Sequence, residues 1–415
     1  TTKQPDNTTK QPEDTTKQPN TATNEAPIQF LSEGERFLWI AHQLILREHY
    51  EQAKEYLTKA RTEQKLLSKV EEQLQEIQQK LKLQTQSKEL ETHGLRLLKL
   101  KKYPEALPFL EDAYRIYPTL NLTLWIDKAA LGIKMEKKIP EYQEKLKDCF
   151  LYMGYGHWAK AKEFLEEGAT LYPEGKTITE LKNYIQNLEA QTRVMIFIKL
   201  GRFPRGENNE QIFLSSYFID KSEVTQEDYS LFVKAISYPP PKHWKLKNTP
   251  PLGREKHPVS FVDYHDALAY ALWRQKQLPS EAQWEKAARG TQGFVYPWGQ
   301  EWNPQNCHFN QSGPDSAISV DELPQGASPY GCLNMAGNVW EWCRDYYQDQ
   351  YSSSLKNPHG PEQALERVIR GGGWSSNDSK QLKTFSRHHL SPDQQLPDLG
   401  FRLALEINIP EALDH

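Results

Sequence analysis

The sequence predicts a multidomain α+β chain, with a helical, repeat-like half followed by a loop-rich half built on short strands and a few helices. Three changes in texture carry this reading. Residues 1–27 repeat "TTKQPDN TTKQPED TTKQPNT" with a seven-residue period and no apolar seam. Through residues 28–190, apolar side chains fall at helical spacing and glycine is sparse. From about residue 191, Gly, Pro and Trp become frequent and the helical runs shorten.

The length of 415 residues allows two or three domains and at least one sizeable core. A formal net charge of −4 argues against a nucleic-acid binder or an anionic-membrane binder, since both need a basic face. No apolar run is long enough to span a membrane. Cys149, Cys307, Cys332 and Cys343 form no Cys-x-x-Cys pair, so a zinc site is not expected. Four scattered cysteines in so long a chain read as reduced core residues and favour a cytoplasmic address, with a Cys332–Cys343 disulfide left open. The first residue is Thr1 rather than Met, which leaves export open too, through a leader already removed.

Each segment has its own physical reading. Thr, Lys, Gln and Pro cannot bury enough surface to offset ordering entropy, so residues 1–27 are expected to be a disordered linker. A linker suggests a further N-terminal domain or anchor on its far side. In residues 28–190, three stretches share one pattern: Tyr50-x2-Ala53-x3-Leu57-x2-Ala60, Tyr103-x2-Ala106-x3-Leu110-x2-Ala113, and Trp158-x2-Ala161-x3-Leu165-x2-Gly168. Small residues at fixed offsets let paired helices approach, and Pro118 and Pro173 end the second and third stretches. The pattern resembles tetratricopeptide repeats, with more residues between copies than that family has. Leu67, Val70, Leu74, Ile77 and Leu81 have spacing suited to a short antiparallel helical hairpin.

Beyond residue 190, "RVMIFIKLGRF" and "FLSSYFIDKSEV" read as strands. Thr225 should cap one helix, Asp263 should begin a second, and Ser280 with Gln283 should form the capping box of a third that ends near Gly290. Trp284, Trp298, Trp340 and Trp342 are expected in the core, where large aromatics compensate for sparse regular structure.

The same half carries, in order, "FIDKSEVTQEDYSLFV", "HPVSFVDYHDALAYALWRQKQLPSEAQWEKAARG", "YPWG", "GCLNMAGNVWEWCRDYY", "RVIRGGGW" and "LGFRLAL". This series, over residues 191–406, resembles the formylglycine-generating-enzyme-like (sulfatase-modifying factor) family. The resemblance implies a C-type-lectin-like fold, here assigned to residues 191–410. It also implies three kinds of activity among which fold alone does not choose: copper-dependent formylglycine generation, iron-dependent sulfoxide synthesis, and retroelement-diversified binding.

The first two need ligands that the sequence lacks. By the resemblance, the two copper-binding cysteines of the formylglycine-generating enzymes fall at Ser376 and Gln381, and neither side chain can supply a soft thiolate. The iron branch uses a His-x3-His-x-Glu motif, whereas the helices here offer only His42, His49, His93 and His157. No copper or iron is therefore expected. Ser375, Ser376, Asp378, His388 and His389 hold the residue types of a hydrolase triad, but no nucleophile-elbow motif surrounds either serine.

In the binding branch, variable polar residues project from a rigid framework between "RVxRGGSW"-like and "GFR" motifs. The framework matches here at Arg370, Gly371, Gly372, Trp374, Arg387, Pro392, Gly400, Phe401 and Arg402, with Gly373 departing from the usual serine. The candidate ligand-binding residues are Trp374, Ser375, Ser376, Asn377, Asp378, Arg387, His388 and His389. The enzyme branch also implies a calcium site, whose ligands fall at Asn334, Gly337, Val339 and Glu341. Together these features predict a non-enzymatic binding or adaptor protein. Its polar C-terminal loops would hold a partner, most simply a protein, and its helical half would give a second interaction surface. The rival reading is an oxidoreductase of the same family with a metal or cofactor site that the motifs do not reveal.

Overall fold

The computed structural model describes residues 31–245, 247–310 and 316–407. The expected linker over residues 1–27 lies outside the described residues, as do residues 408–410.

Eight helices open the described chain. Ser32 starts α1 (Glu33–Leu46) with a full capping box: its hydroxyl accepts the Glu35 N–H, and the Glu35 carboxylate accepts the Ser32 N–H. α2 (Tyr50–Ala60) begins after three residues, so the two helices fold back on each other. α3 (Leu67–Lys99) pairs with α4 (Tyr103–Ile116). α5 (Leu120–Met135) precedes another close pair, α6 (Ile139–Gly154) with α7 (Trp158–Leu171), and α8 (Lys176–Thr192) closes the series.

The three patterned stretches fall on α2, α4 and α7, each the second helix of a pair. Their small residues Ala53, Ala106 and Ala161 are fully buried at the contacts. Their wide separation has two causes. α3 alone runs 33 residues, and both α5 and α6 intervene between α4 and α7. Leu67, Val70, Leu74, Ile77 and Leu81 lie on one unbroken helix rather than forming a hairpin of their own.

α3 is about 50 Å long at 1.5 Å per residue, and it joins two cores. Val70 and Ile77, near its start, share a core with α1, α2 and residues of the C-terminal half such as Phe232, Tyr238, Tyr270 and Phe401. Leu98, at its end, shares a second core with α4–α8 and with Met195, Phe218 and Ile407. The helical half thus docks twice on the C-terminal half, and both cores run across residue 190.

Among the described residues, the C-terminal half holds three small sheets. β1 (Met195–Ile198), β4 (Tyr217–Asp220) and β9 (Ala404–Glu406) form an antiparallel sheet, so the end of the described chain pairs with the start of this half. β2 (Gly201–Arg205) and β3 (Glu210–Leu214) form a hairpin. The third sheet has the order β7 (His388–Leu390), β6 (Arg367–Arg370), β5 (Trp340–Tyr346), β8 (Leu399–Gly400). Helices α9 (Gln226–Ile236), α10 (Tyr264–Trp273) and α11 (Glu281–Arg289) carry the caps read from Thr225, Asp263 and Ser280, and Gly290 ends α11 at φ 68°.

Trp284, Trp340 and Trp342 are core residues, whereas Trp298 is half-buried and stacks on Tyr296 at 5.5 Å. All four cysteines are buried free thiols, so Cys332 and Cys343 are not joined. No helix among the described residues is long and apolar enough to cross a membrane.

Candidate functional site

The C-terminal loops are braced from behind by two buried arginines. Arg370, at the end of β6, has no exposed surface. It donates to Glu285 at 2.8 Å and to the carbonyls of Thr384 and Ser386. Arg402 is equally buried. Its Nε and Nη2 grip the two oxygens of Glu341 at 2.6 and 2.7 Å, and further N–H groups reach the carbonyls of Asp220, Lys221 and Leu333. Such forked pairs fix geometry as well as charge. Between these braces Gly371 and Gly372 turn the chain at φ 98° and 78°, a region that glycine enters without strain. Gly373 has a different reason to be glycine: a Cβ there would stand 2.6 Å from Asp398 Oδ2.

On this framework the predicted residues divide. Trp374 is half-buried, with its indole N–H 3.4 Å from the Pro397 carbonyl. Ser375 is exposed and donates its hydroxyl to Asp398. Asn377 and Asp378 are exposed, and Asp378 also accepts the Lys380 N–H at 2.9 Å. His388 is exposed at the start of β7, its ring centroid 4.8 Å from that of Trp340. The Trp340 N–H in turn bonds the Asp398 carbonyl at 2.7 Å. Trp374, Ser375 and His388 therefore flank one place, where β5 meets the Pro397–Asp398 turn. Asp398 was not among the predicted residues; its only sequence sign is an acid just ahead of the Gly400–Arg402 motif.

Three predicted residues do not belong to that surface. Ser376 is buried, and its hydroxyl accepts the Gly373 N–H at 3.1 Å, stapling the turn from inside. Arg387 is a clamp: Nε and Nη2 hold the two oxygens of Glu281 at 2.7 and 2.8 Å, and its guanidinium lies 4.1 Å from the centre of the Tyr351 ring. His389 points away from His388 because neighbours in a strand face opposite sides. It stacks on Tyr347 at 4.0 Å, with Nδ1 2.6 Å from Glu366. The triad combination finds other partners: Ser375 bonds Asp398, Ser376 accepts from Gly373, Asp378 accepts from Lys380, and His389 meets Glu366.

Asn334, Gly337 and Val339 fall on the loop that feeds β5 and Glu341 on β5 itself; the side chains of Asn334 and Glu341 are held by protein groups. Glu341 already accepts three N–H groups, two from Arg402 and one from the Trp284 indole at 2.9 Å. Asn334 turns its amide nitrogen to Glu223 at 2.8 Å and to the Val320 carbonyl at 3.0 Å. Arg402 supplies the positive charge that a divalent ion would bring to Glu341. The buried Glu223 carboxylate accepts from both Asn334 and Asn338. Its pKa is pushed up to about 7, mainly by burial, with Arg402 pulling it down and Glu341 pushing it up.

Residues 182–407 match the sulfatase-modifying factor enzyme 1-like domain. The chain belongs to that family. It is 35% identical over 240 residues to the serine/threonine-protein kinase Pkn1 of Chlamydia trachomatis serovar L2, a match that takes in 51% of this chain and 38% of the kinase. It is 30% identical over 251 residues to the formylglycine-generating enzyme of Thermomonospora curvata, covering 46% of this chain and 83% of that one. Among solved structures, Treponema denticola variable protein 1 is 23% identical and aligns over 51% of this chain and 94% of its own, with a TM-score of 0.44. Relative to the formylglycine-generating members of the family, this sulfatase-modifying-factor-like chain has a stapling hydroxyl at Ser376 and an amide at Gln381 where the resemblance puts thiolates.

Proposed function

We propose that this sulfatase-modifying-factor-like chain is a non-enzymatic recognition protein, and that the surface of Trp374, Ser375, Asn377, Asp378 and His388 holds a partner protein. One observation carries the reading: exposed, mixed polar side chains around a half-buried tryptophan stand on a turn locked by Arg370, Arg402 and Ser376. A stiff base lowers the ordering cost of binding, and tryptophan is a frequent anchor of interfaces. The match to 38% of a protein named as a kinase fits a module that selects partners for chemistry done elsewhere.

The absence of formylglycine-generating activity, expected from Ser376 and Gln381, is tested by incubating the chain with copper(I), oxygen and a cysteine-containing sulfatase peptide, then weighing the peptide by mass spectrometry. The peptide should emerge unmodified. Conversion of its cysteine to an aldehyde would overturn the proposal.

A further inference from the structure

The segment 391–398 links β7 to β8 and ends in Pro397 and Asp398, the two residues that Trp374 and Ser375 meet. The first two helices hold the same segment from its other side. We propose that α1 and α2 set the position of segment 391–398, and through it the affinity of the Trp374 surface, so that the helical half is a regulatory input to recognition. This coupling presupposes the recognition role proposed above and names how that role is regulated.

The first link runs through the start of α10. Gln395 donates its side-chain amide to Asp263 and to Asp266, at 3.3 Å each. The same two carboxylates meet Arg36 of α1, at 3.5 and 2.7 Å. They also form the capping box of α10. One pair of acids therefore joins α1, the first turn of α10 and the segment, and a shift in any of the three is felt by the others.

His265, one turn of helix along, makes a second link. It is buried, with Nδ1 2.7 Å from the Tyr56 hydroxyl on α2. Its Nε2 stands 3.2 Å from Nζ of Lys59, also on α2, and 3.3 Å from the Asp393 carboxylate on the segment. The rings of Phe37 and Tyr56 meet the imidazole edge-on, both at 5.4 Å.

The segment leans on α10 and the turn before it more than on itself. The Pro392 carbonyl accepts the Tyr264 N–H and the Leu396 carbonyl accepts the Phe261 N–H, both at 2.9 Å. Leu396 packs against the core that holds Phe37 and Tyr56. A stretch anchored mainly by its neighbours takes its position from them. Displacing α1 and α2 would thus reach the Pro397–Asp398 turn, and with it the indole of Trp374 and the hydroxyl of Ser375.

Linkage makes the coupling reciprocal: a partner on the Trp374 surface must tighten α1 and α2 by the free energy that they lend to its binding. The probe is a protein fragment recovered by displayed-library panning on the full chain and kept only if Trp374→Ala/His388→Ala abolishes its binding. Its affinity is then measured for Tyr56→Phe and His265→Gln. Both side chains are buried, at 2% and 3% exposure, so neither can meet the fragment directly. Tyr56→Phe should weaken binding about threefold and His265→Gln about tenfold. In the wild-type chain, the bound fragment should slow hydrogen exchange in α1 and α2, a measurement that stays decisive if His265→Gln does not fold. Full-strength binding by both variants, or unchanged exchange in α1 and α2, would overturn the coupling and leave the recognition role standing. Recovery only of fragments that ignore the Trp374→Ala/His388→Ala change would overturn both.

Discussion

Arg402→Ala should destabilise the fold by about 3–5 kcal/mol, because it strands a buried carboxylate that the arginine grips with two N–H groups. Glu341 and Arg402 are both fully buried, and Glu223 lies in the same network with its pKa already raised to about 7. A carboxyl group whose pKa is higher folded than unfolded binds protons more tightly in the native state. Its effect is to lower stability as pH rises from the unfolded value of roughly 4.3 toward 7. Removing Arg402 takes away the charge that pulls Glu223 down, so the deficit of the variant should grow between pH 5.5 and pH 8. Urea melts at the two pH values measure this. Arg402→Lys should recover little, since an ammonium cannot reproduce the fork. A chelator should leave the melting temperature of the wild type unchanged, whereas a clear fall would restore calcium at Glu341.

Arg36→Ala should cost about 2–5 kcal/mol and loosen the first two helices from the C-terminal half. Arg36, on α1, donates to Asp266 at 2.7 Å and to the Tyr238 hydroxyl at 3.1 Å, and lies 3.5 Å from Asp263. Burial first, and then the Asp266 charge, raise Asp263 to about 7, while Arg36 acts against both. The sign is the same as for Glu223. Native Asp263 takes up its proton more readily than unfolded Asp263, so its contribution declines as pH rises from about 4 to 7, and loss of Arg36 steepens the decline. The variant should therefore be closer to wild type at pH 5 than at pH 8. Hydrogen exchange should quicken in α1 and α2 before it does in α11. Uniform protection in the variant would mean that the two halves are held by their apolar core alone.

This joint between the halves was the part of the fold least legible in the sequence. Three helix caps announced themselves because Thr225, Asp263 and Ser280 act within four residues of their own position; the Ser32 capping box is as local but was not read. Arg36 and Asp266 are 230 residues apart, and an apolar stripe on α1 says that it will be covered without saying by what. The same limit applies at the site. The framework residues Arg370, Gly371, Gly372 and Arg402 were readable because their roles come as a motif. The burial of Ser376 was not, since a serine beside a glycine turn can face either way. β7 has only three residues, too few for alternation to show that His388 and His389 would part. Arg387 read as a polar contact because Glu281, which claims it, stands 106 positions earlier at the start of α11.

The central claim is that Trp374 and His388 anchor a partner on a turn that has no thiol chemistry. The most direct measurement is the affinity of the Trp374→Ala/His388→Ala double variant for a protein fragment recovered by displayed-library panning against the wild-type chain. A loss of about 2 kcal/mol or more is expected, with the melting temperature nearly unchanged. Full-strength binding by the folded double variant would contradict the claim.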